Sequence, residues 1–181
     1  MKLYRVFPYD PSAAPTAPGG ALFVPPPSAL GRIANPMLYR ELYYSDCPEG
    51  AISEVFGHLP VWTNGNFIHA SGLQHHVSLF ELDDAVAIFD LDNIASLAAI
   101  GISKPSFVIT RKRQITQGWA RTIYNLGTYA GARWWGYYSV AYFAFGLWDR
   151  TGLRHMGPPE PLSTTHPAVV NAARMIVRQI Q

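Results

Sequence analysis

Cysteine is almost missing from this chain of 181 residues. Cys47 stands alone, which excludes an internal disulfide and the cysteine-rich zinc sites. Charge is scarce too. Asp, Glu, Lys and Arg make up 14% of the residues against 49% apolar, a balance that argues against disorder over most of the length. So little charge leaves much of the surface neutral or covered by a partner. A net charge of +2 points to neither nucleic acid nor a membrane. No apolar run reaches the length that spans a bilayer, and Met1-Lys2-Leu3-Tyr4-Arg5 lacks a signal-peptide core, so a cytoplasmic location is expected. Neither GxGxxG nor GxxxxGK occurs, so both common phosphate-cradling loops are absent. No internal repeat is apparent. The length fits one domain large enough to bury a core.

Proline and glycine punctuate what is there. Eight of the fifteen prolines fall in residues 8–36, and proline fixes φ and lacks a donor, so this stretch is expected to wrap the surface as loop after a strand at 3–7. Tyrosine-rich 37–45 reads as one or two strands. Residues 48–56 read as a helix, with Pro48 and Glu49 in its first turn and Gly57 just past its end. Polar, histidine-bearing 58–76 is expected to form an irregular flap over a site. Residues 77–82 and 85–91 look like strands paired about the Asp83-Asp84 turn. Asp92 is expected to cap a helix running to 100, closed by Gly101. Thr116 opens a helix over 117–126, closed by Gly127. Strands follow at 132–135 and 141–148. Gly157, Pro158, Pro159 and Pro161 mark a loop, and 167–181 reads as a terminal amphipathic helix capped near Thr165. Irregular alternation of strands and helices favours α+β over a doubly wound sheet. Residues 1–160 form the body, and 161–181 are a loop and helix packed on it.

Several clusters have plain explanations. Asp83, Asp84, Asp90 and Asp92 resemble a divalent-metal set, but a turn and a helix cap account for all four, and no metal site is expected. His69, His75 and His76 lack a metal-ligand spacing such as HExxH, and suit a flap or a surface pair better. Arg111-Lys112-Arg113 fits a solvated edge better than a phosphate-backbone contact at this net charge. The aromatic run Trp134-Trp135-Gly136-Tyr137-Tyr138, with Tyr142, Phe143, Phe145 and Trp148, is chiefly core; strand alternation sends some of its rings to the other face.

Arg32, Tyr43 and Glu54 are more informative. A cation, a flat aromatic face and a carboxylate are groups that grip a dinucleotide and cleave its glycosidic bond, although their spacing alone is ordinary. Around them the chain resembles the RES domain family. The resemblance lies in Leu3-Tyr4-Arg5-Val6, Gly31-Arg32, Leu42-Tyr43-Tyr44-Ser45 and Ala51-Ile52-Ser53-Glu54-Val55. It continues through Thr116-Gln117-Gly118-Trp119-Ala120, Gly131-Ala132-Arg133-Trp134-Trp135 and Gly146-Leu147-Trp148-Asp149. The order and separation of these pieces carry it from residue 3 to about residue 153.

That resemblance implies an ADP-ribosyltransferase-like fold, with a twisted, split β-sheet core flanked by helices and NAD⁺ bound in a cleft as substrate. It implies the toxin of a bacterial toxin–antitoxin pair, which degrades NAD⁺ by hydrolysis or phosphorolysis of the nicotinamide–ribose bond. A helix-turn-helix (Xre-type) antitoxin is the implied partner. By position, Arg32, Tyr43 and Glu54 match the family's arginine, tyrosine and glutamate. Related chains often carry serine where this one has Gly136, so Ser139 is the candidate for the missing hydroxyl. Nicotinamide leaves as a neutral base and the ribose takes on oxocarbenium character, which the Glu54 carboxylate is suited to stabilise. Arg32 offers a planar fork to diphosphate oxygens, with Arg5 as a second contact. Tyr43, beside Tyr44, is placed to stack on the nicotinamide. Two alternatives remain open: a catalytically weakened binding protein on the same fold, favoured by Gly136, and an ADP-ribosyltransferase that modifies a protein target. The acceptor (water, phosphate or protein) and self-association into a homo-oligomer are left open as well.

Overall fold

The computed structural model describes residues 1–26 and 28–181. Its fold turns on two strands that share one rung. β1 (Lys2–Pro8) and β2 (Leu42–Ser45) meet antiparallel at Tyr4↔Ser45 and pair nowhere else. Side chains alternate along β1, burying Leu3, Arg5 and Phe7 on one face and half-burying Tyr4 and Val6 on the other. Each strand is fully paired on its outer side. β1 runs against β4 (His75–Leu82) over its whole length, and β2 runs against β7 (Phe143–Leu147). β5 (Ile88–Asp90), β6 (Gly131–Trp135) and β8 (Leu153–Pro161) complete a seven-stranded sheet of order β5-β6-β7-β2-β1-β4-β8. Only the β5–β6 pair is parallel in that sheet. A second, two-stranded sheet joins β3 (Val61–Trp62) to β9 (Gln179–Ile180). With helices packed on the large sheet, the architecture is the expected α+β.

Helix α1 (Pro48–Phe56) starts where Cys47 Sγ accepts the Gly50 N–H and Pro48 presets the first turn. It ends at Gly57, whose carbonyl accepts two N–H groups of Arg178 at 2.9 and 2.6 Å. Its apolar side, Ile52 and Phe56, packs with Trp62, Phe67 and Val169 in one core cluster. A second cluster gathers Ile33, Leu91, Trp119, Ile123 and Trp134 around α4 (Arg113–Asn125) and β6. A third lies under the proline-rich loop, where Ala21 joins Leu3, Phe7, Tyr44 and Phe80.

Several local expectations are corrected. Residues 77–82 and 85–91 do not form a hairpin. Both edges of β4 are occupied, by β1 and β8, so β5 crosses to the opposite end of the sheet and pairs with β6. The 157–161 loop belongs to β8. That strand is the sheet edge, where proline's missing donor costs least, and Gly157, Pro158 and Pro159 sit in a register shift between Val77↔Glu160 and Leu79↔Met156. The 58–76 flap is no flap: Trp62 and Phe67 are wholly buried against the terminal helix, and His75 and His76 open β4. That terminal helix, α5 (Pro167–Met175), is capped by His166 and stops short of residue 181. Val177 adopts φ 54°, reversing the chain into β9. Of 37–45, only Leu42–Ser45 is strand. Asn93, not Asp92, caps α2 (Ile94–Ala99). A short α3 (Ser106–Ile109) precedes α4, which starts at Arg113 with Thr116 buried inside it. No helix among the described residues is long and apolar enough to cross a membrane.

Trp62, with no exposed surface and its Nε1–H on the Phe56 carbonyl at 3.0 Å, ties β3 to α1. Trp62→Ala is expected to cost about 3–5 kcal/mol, read as a lower urea midpoint at unchanged slope.

Candidate active site

The gap between β1 and β2 opens into a cleft of about 470 Å³. Arg5 and Val6 line one side, and Tyr43 and Tyr44 the other. Glu54 reaches in from α1 and Arg113 from the start of α4, while Pro25, Pro26 and Ser28 wall one side. Arg5, Arg32, Arg40 and Arg113 outnumber Glu41 and Glu54 among the lining residues, so the cleft favours an anion.

Glu54 is half-buried on the flank of α1. Its Oε1 accepts the Tyr137 backbone N–H at 2.9 Å and the Tyr142 hydroxyl at 2.8 Å. Its Oε2 has no hydrogen-bond partner among the described residues, so one oxygen is anchored and the other is free to act. Arg32 is nearly buried. Its Nη1 donates to the carbonyls of Val108 and Thr110 at 3.0 and 3.1 Å, and Nη2 and Nε have no hydrogen-bond partner among the described residues. Burial lowers its pKa, and the nearby Glu54 charge opposes that shift. Tyr43 is fixed through its hydroxyl, which accepts the Ile33 N–H at 3.2 Å and donates to Glu41 Oε1 at 3.4 Å. Burial pushes its phenol pKa up, so the group stays a neutral ring. Gly31 makes this approach possible, because a Cβ there would lie 2.3 Å from the Tyr43 oxygen.

Arg5 is also buried. Two of its donors go to the carbonyls of Ala21 and Phe23 at 2.9 and 3.1 Å, so it pins the proline-rich loop while lining the cleft. The Tyr44 hydroxyl, pushed up to about 12 by burial against the pull of Arg5, finds no partner among the described residues. Trp134 Nε1–H and Arg113 Nη1 are likewise buried and unpaired, and all three residues line the cleft. A buried donor left unmade costs about 1–3 kcal/mol.

No family model matches the chain, and no curated protein matches it in sequence. In structure it is similar to a chain of the M. tuberculosis MbcT–MbcA toxin–antitoxin complex, with a TM-score of 0.60 over 97% of this chain and 88% of that one. The two are 13% identical. The likeness is one of fold.

Of the residues singled out from sequence, Arg5, Arg32, Tyr43, Tyr44 and Glu54 meet at this cleft, and Ser139 does not line it. Ser139 sits in the turn between β6 and β7, where its Oγ accepts the Ala141 N–H at 3.2 Å. The hydroxyl that reaches Glu54 belongs to Tyr142. Tyr142 and Arg113 were missed for different reasons. Arg113 looked like part of an exposed basic run, but its Nε is bound to the Leu30 carbonyl at 2.9 Å. No sequence signal connects Tyr142 with Glu54, since the contact depends on how the β6–β7 turn folds back. That turn leaves no room at Gly136, where a Cβ would lie 2.2 Å from the Tyr142 ring. Gly136→Ala is therefore expected to destabilise the fold by about 1–3 kcal/mol through overpacking, seen as a lower melting temperature.

Proposed function

We propose that this chain is an NAD⁺-degrading toxin of a bacterial toxin–antitoxin pair. The observation that carries the reading is the cleft itself: a carboxylate with one anchored oxygen and one without a partner among the described residues lines the same cavity as a buried arginine. The similarity of fold to a chain of a toxin–antitoxin complex and the resemblance to RES domains support it. In this reading the diphosphate of NAD⁺ lies against Arg32 and Arg113, and the nicotinamide stacks on the Tyr43 ring. The nicotinamide–ribose bond breaks with its electron pair going to the nicotinamide nitrogen. The Glu54 carboxylate stabilises the positive charge that builds at the ribose. Water or phosphate then bonds to the ribose carbon and loses a proton where its oxygen carries one. An antitoxin of the helix-turn-helix (Xre) type covers the cleft until the toxin is released, and the reaction takes place in the cytoplasm.

Purified protein is expected to consume NAD⁺ and release nicotinamide, and its induction in bacteria is expected to lower NAD⁺ and stop growth. Glu54→Gln keeps a carbonyl oxygen for the same two hydrogen bonds, so its melting temperature should hold while turnover falls by about 10²-fold or more. Labelled NAD⁺ separates this reading from protein modification, because transfer to a target labels a macromolecule and hydrolysis frees ADP-ribose. Undiminished NAD⁺ in the presence of soluble protein would overturn the proposal.

A further inference from the structure

Tyr142 is a fully buried side chain whose hydroxyl ends on Glu54. Its ring, 1% exposed, lies between two glycines. A Cβ at Gly50 would come within 2.2 Å of Ser45 Oγ and 2.7 Å of ring atoms Cγ and Cδ2, and a Cβ at Gly136 would sit 2.2 Å from Cε2, 2.3 Å from Cζ and 2.6 Å from the Ser139 carbonyl oxygen. The Gly136 N–H also donates to the Tyr142 carbonyl at 2.8 Å, closing the turn around the ring. Gly50 lies four residues before Glu54 in α1, so the two share a helix face. Glycine inside a helix is disfavoured relative to alanine, and here Ser45 Oγ and the tyrosine ring share the space its missing side chain leaves. The phenol emerges from this slot onto Glu54 Oε1 at 2.8 Å, joined there by the Tyr137 N–H at 2.9 Å. Burial and the Glu54 charge both raise its pKa, so it remains a donor.

We propose that Tyr142 is a positioning residue for Glu54: gripped between Gly50 and Gly136, its hydroxyl and the Tyr137 N–H hold Oε1 and turn Oε2 toward the cleft. This inference rests on the NAD⁺-cleaving reading and adds a residue that the sequence did not single out. A donor to a carboxylate that must be oriented acts on turnover more than on substrate binding.

Tyr142→Phe retains the ring and removes only the hydroxyl. Its kcat is expected to fall about tenfold while KM stays within about twofold and the melting temperature holds. Tyr142→Ala is expected to lose more. A second readout is independent of turnover. In ¹³C spectra of protein labelled at the carboxyls of its five glutamates, the signal assigned to Glu54 through Glu54→Gln should move in Tyr142→Phe and the others should not. Wild-type kcat in Tyr142→Phe, or an unmoved Glu54 signal, would overturn the inference. Should Tyr142→Phe fail to fold, Tyr142→Met, which fills much of the slot and carries no hydroxyl, takes its place with the same two readouts and the same overturning results. A wild-type protein that leaves NAD⁺ intact counts instead against the proposed function, and the carboxyl signal still tests the contact.

Discussion

The parting of β1 and β2 after a single rung is the constraint on which the rest of this structure depends. Each strand is fully paired on its far side, so the sheet consists of two complete ladders joined by one rung. The opening presents residues from both faces of the sheet to one cavity, Arg5 and Tyr44 from one and Val6 and Tyr43 from the other. Glu54 enters because α1 follows β2 directly and packs beside the opening. An unbroken sheet would bury these groups on opposite sides of a continuous layer.

Holding such a gap open requires the surrounding chain to be tied down, and arginine side chains do much of that work. Arg5 reaches the carbonyls of Ala21 and Phe23, Arg113 that of Leu30, and Arg32 those of Val108 and Thr110. Irregular segments have carbonyls that no ladder satisfies. A guanidinium can fill several at once and keep its charge directed at the cavity. The proline-rich loop is therefore a wall of the site as well as a connection.

The local chemistry of several elements was legible in the chain. The strand expected at 3–7 lies within β1, and Pro48 with Gly57 bracketed α1 to the residue. The segments that were misread were those whose pairing is non-local. Residues 85–91 had to find a free edge at the far end of the sheet, and the prolines of 157–161 were acceptable only because β8 is itself an edge. The terminal segment stops being helix because β3 offers it a strand partner. Propensity says nothing about which edge is free.

The site divides along the same line. The sequence alone determined the groups that come to the cleft: Arg32, Tyr43 and Glu54, with Arg5 and Tyr44 beside them, in an order that resembles a family. Chain order carried that information because these residues sit on consecutive elements, β1, the loop, β2 and α1. Only the tertiary structure decided which hydroxyl meets the carboxylate. Ser139 and Tyr142 are three residues apart in one turn, and the choice between them is one of packing. Two glycines far apart in the chain leave a slot that an aromatic ring fills and a serine at 139 cannot reach. Shape complementarity of that kind exists only once α1 and the β6–β7 turn are side by side.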